Sequence, residues 1–323
     1  MSVQQITISA GDADQRLDRW FKRRFPGVVH GRLEKLLRTG QIRVDGRRAK
    51  ASLRLVEGQI VRVPPGIHAA PRCGAHAPVS DADLRFVRRL VVHKDDDVLA
   101  LNKPPGLAVQ GGSSTTRHLD AMLDALRFEA AERPRLVHRL DRDTSGVLLL
   151  ARNRRAAGKL AEAFRAKTTR KLYWALVAGV PKLPRGTIDM ALAKRSSPFG
   201  ERVAEDDEEG KRAVTLYATV EALGKRAAWL VLWPLTGRTH QLRVHCAEGL
   251  GAPIVGDRKY GAAASRLGGD VEDGLHLHAR RIEIPHPSGG VLKVTAALPA
   301  SMARSWALFG LDPEAEIDPF PRR

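Results

Sequence analysis

The sequence predicts an α+β protein, in which a small basic module precedes a larger domain of many short strands and a few helices. Three observations lead to this prediction. The 323 residues are 43% hydrophobic, which is sufficient for a packed core and for two domains. Apolar runs of strand length recur through the second half of the chain. Positive charge is concentrated at the front, where residues 1–75 hold 15 Lys and Arg residues against 6 Asp and Glu residues.

Two short helices and a small sheet are predicted for the front module, over residues 1–66. The first helix is predicted from an apolar stripe at helical spacing, formed by Leu17, Trp20, Phe21 and Phe25. The second helix is predicted from the apolar face of Leu33, Leu36 and Leu37, and Gly40 is expected to end it. A strand around Ile42 and Val44, the turn signal Asp45-Gly46 and the run "GQIVRVP" complete the module.

Cations of the module are the predicted RNA contacts. The candidates on the second helix, its following strand and the turn are Arg32, Lys35, Arg38, Arg43 and Arg47. Such a cluster suits contacts with phosphates. The segment resembles the small RNA-binding module named after ribosomal protein S-four, over roughly residues 14–63. The alternative is a solvated basic face on an unrelated domain. Residues 67–80, rich in Pro, Ala and Gly, are predicted to be a linker, and the second domain spans 81–323.

The whole chain carries a formal net charge of +18, which favours a polyanionic partner, nucleic acid before membrane. A basic protein from an Arg-rich proteome is the alternative. The apolar runs are too short to cross a bilayer, and the first 15 residues lack the pattern of a secretion signal or transit peptide. Cys73 and Cys246 stand apart, without metal-ligand spacing. We therefore expect a cytoplasmic protein without a disulfide framework or metal site.

In the second domain, strands are predicted for "KLYWALVAG", "AVTLYATVEAL", "AAWLVLWPL" and "VLKVTAAL", and helices for "TRHLDAMLDALRFEA" and "RRAAGKLAEAFRAK". No phosphate-binding glycine loop, H-E-x-x-H or G-x-S-x-G pattern is present. These absences exclude the commonest nucleotide, zinc and serine-nucleophile signatures. Ordinary side chains without a cofactor are thus expected to carry the chemistry.

The segment "HRLDRDTSG" places two carboxylates, Asp141 and Asp143, among Arg and His residues. One interpretation is a structural ion pair. The other is a carboxylate kept charged to react, since a nearby guanidinium favours the ionised form. Apolar sequence on both sides predicts a loop held between core elements, a rigid place to present a side chain.

Two further segments favour a site. "RKLYWALV" places Tyr173 in an apolar strand, where a core tyrosine is the alternative. "LTGRTHQLRVH" concentrates hydrogen-bond donors after a strand, as a site for an anion or nucleotide requires. Together with "HRLDRDTSGVLLLA", these motifs resemble the pseudouridine synthases that act on large-subunit ribosomal RNA (the RluA/RluC/RluD group), and the preceding module makes the RluC branch the most similar.

The resemblance implies a mixed, mainly antiparallel central sheet with flanking helices, and site-specific isomerisation of uridine to pseudouridine in 23S ribosomal RNA. It implies that Asp141 is the essential residue, that Arg139 displaces and replaces the target nucleotide, that Tyr173 stacks on the uracil and that Arg238 pairs with Asp141. Asp143 falls on a variable position and receives no role.

The implied partners are large-subunit ribosomal RNA or pre-ribosomal particles, with no DNA, no membrane and a monomeric protein. A non-catalytic RNA-binding or ribosome-assembly factor on the same scaffold is the alternative. Asp141 could add to the uracil ring, attack the ribose or abstract a ribose proton, and either Asp141 or Tyr173 could serve as the base at carbon 5.

Overall fold

A computed structural model describes residues 3–25, 27–67, 80–111, 117–197 and 200–321. The chain divides into two compact units, residues 1–78 and 79–323. Of the predicted linker, only Ile67 and Ser80 belong to the described residues.

The first unit packs two short helices on a four-stranded antiparallel sheet of strand order β1-β4-β2-β3. Its elements are β1 (Gln4–Thr7), α1 (Leu17–Arg24), α2 (His30–Arg38), β2 (Arg43–Val44), β3 (Arg47–Arg48) and β4 (Ile60–Val63). Both predicted helices and the predicted hairpin are present. Strand β1 is not predicted by the sequence.

An aromatic cluster holds the first unit together. Trp20, Phe21 and Phe25 are all fully buried, and the ring centroids of the two phenylalanines lie 4.6 Å apart. In the hairpin, Asp45 and Gly46 have φ of 49° and 75°, the left-handed pair that a two-residue turn of matching twist requires. The "DG" signal thus sets the register in which Arg43 lies opposite Arg48.

The second unit is built around one mixed sheet. The helices are α3 (Asp81–Arg89), α4 (Leu119–Met122), α5 (Arg154–Arg165), α6 (Gln241–Val244) and α7 (Ala300–Leu308). The strands are β5 (Val91–Lys94), β6 (Val98–Lys103), β7 (Arg135–Leu136), β8 (Ser145–Ala151), β9 (Arg170–Ala178), β10 (Arg185–Ser197), β11 (Gly200–Glu205), β12 (Lys211–Leu223), β13 (Ala227–Pro234), β14 (Leu277–Pro285) and β15 (Val291–Thr295).

The strand order is β11-β10-β12-β13-β9-β14-β8-β6-β5, with β15 beside β14 and β7 beside β8. Among these named strands β14 and β8 are parallel and all other neighbours are antiparallel. The mainly antiparallel sheet that the resemblance implied is confirmed. Within the described ranges, no helix is long and apolar enough to cross a membrane.

Strand β8 is the centre of the fold, and all seven of its residues are buried. Val147, Leu149 and Ala151 pack on the side of α5, whereas Leu148 and Leu150 pack on the opposite side with α4. Because both faces of the strand are covered, its sequence is a continuous apolar run rather than an alternation. The loop before β8 is therefore anchored in the best-packed part of the unit.

The first predicted helix of this unit is shorter than expected. Helix α4 ends after one turn, and a 3-10 turn, Leu123–Leu126, follows it. The side chain of His118 caps the helix by accepting from the Ala121 N–H, and Phe128, at φ 48°, turns the chain away beyond it. The helix therefore ends where the backbone changes to the 3-10 turn, and not where the apolar pattern changes.

Candidate active site

The loop that carries Asp141 runs from β7 into β8. Strand β7 pairs with the far end of β8, so both ends of the loop are tied to one strand. Asp141 is partly buried, whereas Arg139, Arg142 and Asp143 are exposed. Asp141 is consequently presented by a loop whose ends cannot move independently.

The "TSG" that follows the carboxylates is structural. Thr144 and Ser145 are buried, and Ser145 Oγ lies 2.8 Å from His278 Nδ1 on β14. Gly146 has φ of 108°, and a Cβ at this position would clash with the backbone of Ala279. Only glycine permits β8 and β14 to approach so closely there.

Lys103, at the end of β6, forms a hydrogen bond with the loop that carries Asp141. Its side chain is fully buried, and its Nζ donates to the carbonyl oxygens of Pro104 at 2.8 Å, Leu107 at 3.0 Å and Arg142 at 2.9 Å. Burial lowers the pKa of Lys103 to about 7, opposed by the charges of Asp143 and Asp141. The lysine therefore joins the turn after β6 to the loop that carries Asp141.

The four residues that the resemblance singles out come together. Asp141, Arg139, Tyr173 and Arg238 all line one cleft of about 1190 Å³. This volume exceeds the usual range for a small-molecule pocket. The loop supplies the first two, strand β9 supplies Tyr173, and the loop after β13 supplies Arg238.

Tyr173 is partly buried and feels the charge of Asp141. Burial raises the pKa of the Tyr173 hydroxyl well above its ordinary value, and the negative charge of Asp141 raises it further. The phenol is therefore protonated at neutral pH. It can stack on a base or donate a hydrogen bond, but it is not available as a phenolate.

Arg238 is exposed, and its hydrogen bonds go to other residues than Asp141. Its Nε donates to the Arg212 carbonyl at 3.2 Å, and its backbone N–H donates to Gln241 Oε1 at 3.0 Å. No ion pair between Arg238 and Asp141 occurs among the residues that the structure describes. In this conformation Arg238 lies at the wall of the cleft and not on the carboxylate.

Arg243 is a second buried cation, besides Lys103, that feels the charge of Asp141. Its guanidinium forms two hydrogen bonds with Asp257, of 2.8 and 2.7 Å, and both side chains are buried. Burial alone would lower the pKa of Arg243, but the hydrogen bonds and charge of Asp257, together with the charge of Asp141, raise it. Arg243 also lines the cleft.

A network of hydrogen bonds holds the turn that presents both arginines. Gln241 Oε1 accepts from Thr236 Oγ1 at 2.8 Å, and its Nε2 donates to the Val214 carbonyl at 3.0 Å. His240 has the left-handed φ of 53°, and its Nδ1 lies 2.7 Å from the Tyr260 hydroxyl. The turn is thus fixed by buried polar contacts rather than by regular structure.

The predicted RNA contacts of the front module are all on its surface. The exposed residues are Arg32, Lys35 and Arg38 on α2, Arg43 on β2 and Arg47 on β3. The side chain of Arg43 donates to the carbonyls of Gly40 and Gly46, each at 3.1 Å, which fixes its direction. Their role in binding RNA stays a prediction.

The sequence analysis gave no individual role to Lys103 or to Arg243. A signal existed for Lys103, since a lysine that closes the apolar strand "VLALNK" is unusual in a core. For Arg243 the signal was the donor-rich motif "LTGRTHQLRVH", which contains this arginine but does not separate its role from that of Arg238. The partner of Arg243, Asp257, lies 14 residues further on, beyond any local pattern.

Comparisons with known proteins point to one family. The profile described as "RNA pseudouridylate synthase" matches residues 97–248. "Ribosomal large subunit pseudouridine synthase C" of Yersinia pestis is 38% identical over 92% of this chain and 92% of its own length. "RNA pseudouridine synthase 4, mitochondrial" of Arabidopsis thaliana is 37% identical over 84% of this chain and 71% of its own. The solved structure "Human RNA Pseudouridylate Synthase Domain Containing 4" superposes with a TM-score of 0.59 at 28% identity, covering 71% of this chain and 96% of that one.

Proposed function

This chain belongs to the RNA pseudouridylate synthase family, and we propose that it converts uridine to pseudouridine in large-subunit ribosomal RNA with Asp141 as the reacting carboxylate. One observation carries the assignment of Asp141. Its carboxylate shares a cleft with the neutral phenol of Tyr173 and with Arg243, a buried guanidinium that Asp257 holds in place.

The reaction fits the groups in the cleft. The bond between ribose C1′ and uracil N1 breaks, C1′ bonds to C5 instead, C5 loses its proton, and N1 gains one. No electrons are exchanged with a second substrate. The steps need a group that stabilises the detached base, an acceptor for the C5 proton and a cation beside the reacting carboxylate.

Asp141 and Tyr173 divide these tasks. Because Tyr173 is protonated at neutral pH, it supplies an aromatic face for the uracil, and the carboxylate of Asp141 is the better acceptor for the C5 proton. Addition to the ring, attack at C1′ and abstraction of a ribose proton all begin from a charged carboxylate. Arg243 and Asp141 attract one another, so Arg243 supplies positive charge where each of these routes needs it.

Arg139 is suited to handle the nucleotide. It is exposed at the mouth of the cleft, two residues before Asp141 on the same loop. A base must leave the RNA stack to reach a carboxylate in a cleft, and a guanidinium can take the place that the base vacates. Arg238, which also lines the cleft, is proposed to contact the RNA backbone rather than Asp141.

Large-subunit ribosomal RNA or a pre-ribosomal particle is the proposed substrate. Support comes from the Yersinia pestis relative, whose name states that substrate and which matches over nine-tenths of both chains. The exposed cations of the front module add a surface suited to folded RNA. The proposal includes a monomeric protein, and it includes neither DNA nor a membrane as partner.

Release of tritium from C5-labelled uridine in a large-subunit ribosomal RNA transcript tests the proposal. We expect wild type to release tritium and Asp141→Asn to lose release by at least about 10³-fold, as removal of an essential group does. Asp143→Asn is the matched control, because it removes a carboxylate from the same loop, and it should stay within about threefold of wild type.

Equal release by wild type and Asp141→Asn would remove Asp141 from the mechanism. A folded wild-type protein that binds the transcript without releasing tritium would indicate the non-catalytic binding factor instead.

A further inference from the structure

Part of the lining of the cleft is positively charged. We call it the cationic arm and define it by the five cations Arg165, Lys167, Arg170, Lys171 and Lys293. His138 and Phe164 form part of its wall, with ring centroids 4.8 Å apart. The acid that lines this arm is Glu283, which pairs with Arg281 at 3.3 Å. The arm is therefore suited to an anion.

Two of these cations already have acidic partners. Arg170 pairs with Asp318 at 2.5 Å, and Lys293 lies 3.8 Å from Glu316. Arg165, Lys167 and Lys171 have no ion pair and donate no side-chain hydrogen bond within the part of the chain that the structure describes. Arg165 and Lys167 are exposed and can be satisfied by water.

Lys171 differs from them because it is partly buried. It lies on β9 two residues before Tyr173, and the residue between them, Leu172, is buried on the other face of the sheet. Lys171 and Tyr173 thus point to the same side and both line the cleft. Burial lowers the pKa of Lys171, because the ammonium loses part of its hydration.

His138, the neighbour of Lys171, does not compensate for the lost hydration of the Lys171 ammonium. Burial lowers the pKa of His138 to about 3, and the charge of Lys171 contributes, so the imidazole is neutral. Its Nε2 accepts a hydrogen bond of 2.8 Å from the Leu149 N–H. An ammonium removed from water without an acceptor costs free energy, and an anionic ligand in the cleft would offset that cost.

From this arrangement we propose that Lys171 binds the RNA phosphate next to the target uridine. Residues i and i+2 of a strand are about 6.6 Å apart, which is comparable with the distance from a nucleobase to the phosphate of its own nucleotide. A base stacked on Tyr173 would therefore place that phosphate within reach of the ammonium. The inference rests on the proposed function, since it takes the base at Tyr173 to be the reacting uracil.

Single-turnover tritium release at increasing enzyme concentration tests the subsite. C5-tritiated large-subunit ribosomal RNA transcript is the probe, and NaCl is varied from about 50 to about 200 mM. For Lys171→Met we expect the half-saturating enzyme concentration to rise about tenfold and its logarithmic salt slope to fall by about 1, as the loss of one phosphate contact requires. Lys171→Arg keeps the charge and should keep the wild-type slope.

Lys225→Met is the matched control, because Lys225 is an exposed lysine of the same unit, in the turn between β12 and β13, and does not line the cleft. It should behave as wild type. Lys171→Met removes a poorly solvated charge and should fold with an unchanged or higher Tm. If it does not fold, Lys171→Gln replaces it in the same assay.

Ethylation of single phosphates in the transcript then identifies the contact. We expect one ethylated phosphate adjacent to the modified uridine to inhibit wild type and to cause no further loss in Lys171→Met. Suppose that wild type releases tritium and that Lys171→Met has the same half-saturating enzyme concentration and the same salt slope as Lys225→Met. The proposed phosphate contact of Lys171 is then wrong, while the proposed function stands. If wild type releases no tritium, the proposed function fails, and the inference fails with it.

Discussion

The two compact units use positive charge in opposite ways. In the first unit the candidate cations lie on the surface of a small aromatic core, whereas in the second unit two cations that feel the charge of Asp141, Lys103 and Arg243, are buried and hydrogen-bonded. Exposed cations contribute affinity that is additive and depends on salt, because each releases counterions from a phosphate. Buried cations contribute geometry, since a desolvated charge keeps its position only where its partners are complete. We infer that the cations of the first unit add to the affinity for RNA, whereas the cations buried around Asp141 determine whether the RNA reacts.

The largest effect that would sharpen this comparison is expected at Arg243. Arg243→Lys keeps the charge but cannot form the two-armed hydrogen bond with Asp257, so we expect single-turnover release to fall by about 10²–10³-fold. Arg243→Met also leaves the buried Asp257 without its cationic partner and should lower the free energy of unfolding by about 3–5 kcal/mol. Denaturant unfolding and tritium release measure the two effects.

Arg238→Gln is the comparison for Arg243, because Arg238 is exposed on the same turn. It should raise the half-saturating RNA concentration more than it lowers the maximal rate. A loss of maximal rate as large as that of Arg243→Lys would restore the pairing of Arg238 with Asp141 that the resemblance implied.

A smaller effect, on stability, is expected at Lys103. Lys103→Met leaves three carbonyl oxygens without their donor, and we expect the free energy of unfolding at pH 7 to fall by about 3 kcal/mol. Because burial depresses the pKa of the folded lysine to about 7, the unfolded chain binds more protons between pH 7 and the ordinary lysine value. The free energy of unfolding of wild type should therefore increase as the pH rises from 7 towards the ordinary lysine pKa.

Denaturant unfolding of wild type and of Lys103→Met at several pH values measures the contribution of Lys103 as the difference between their free energies of unfolding. The deficit of Lys103→Met relative to wild type should grow from pH 7 towards pH 10. A deficit that stays constant or shrinks over that range would mean that Lys103 does not titrate with a depressed pKa.

The smallest effect per residue is expected in the first unit. Lys35→Gln combined with Arg38→Gln should lower the logarithmic salt slope of RNA binding by about 2 and leave the maximal rate of tritium release unchanged. Lys182→Gln combined with Lys225→Gln removes the same charge from exposed positions of the second unit and serves as the control. An equal change in the control would show that net charge alone, and not the surface of the module, sets the slope.

The sequence predicted the elements whose pattern is complete within a few residues. Helix α1 follows from its apolar stripe and β8 from its continuous apolar run, and the "DG" turn sets the hairpin between β2 and β3. Strand β1 was missed because its four residues, QQIT, alternate between partial burial and exposure and contain a single large apolar side chain. Helix α4 was overestimated because neither the change to a 3-10 turn at Leu123 nor the left-handed φ of Phe128 leaves a mark on periodicity.

The family motifs identified the cleft residues, and their sequence alone determined that Asp141 stands on a loop anchored in core strands. Only the tertiary structure showed that Arg243 rather than Arg238 is a buried cation that feels the charge of Asp141, and that Lys103 ties the loop to the turn after β6. The reason is physical. Helical and strand periodicity is a property of neighbouring residues, whereas the charge felt by a carboxylate depends on burial and on partners far away in the chain, such as Asp257 for Arg243 and Arg142 for Lys103.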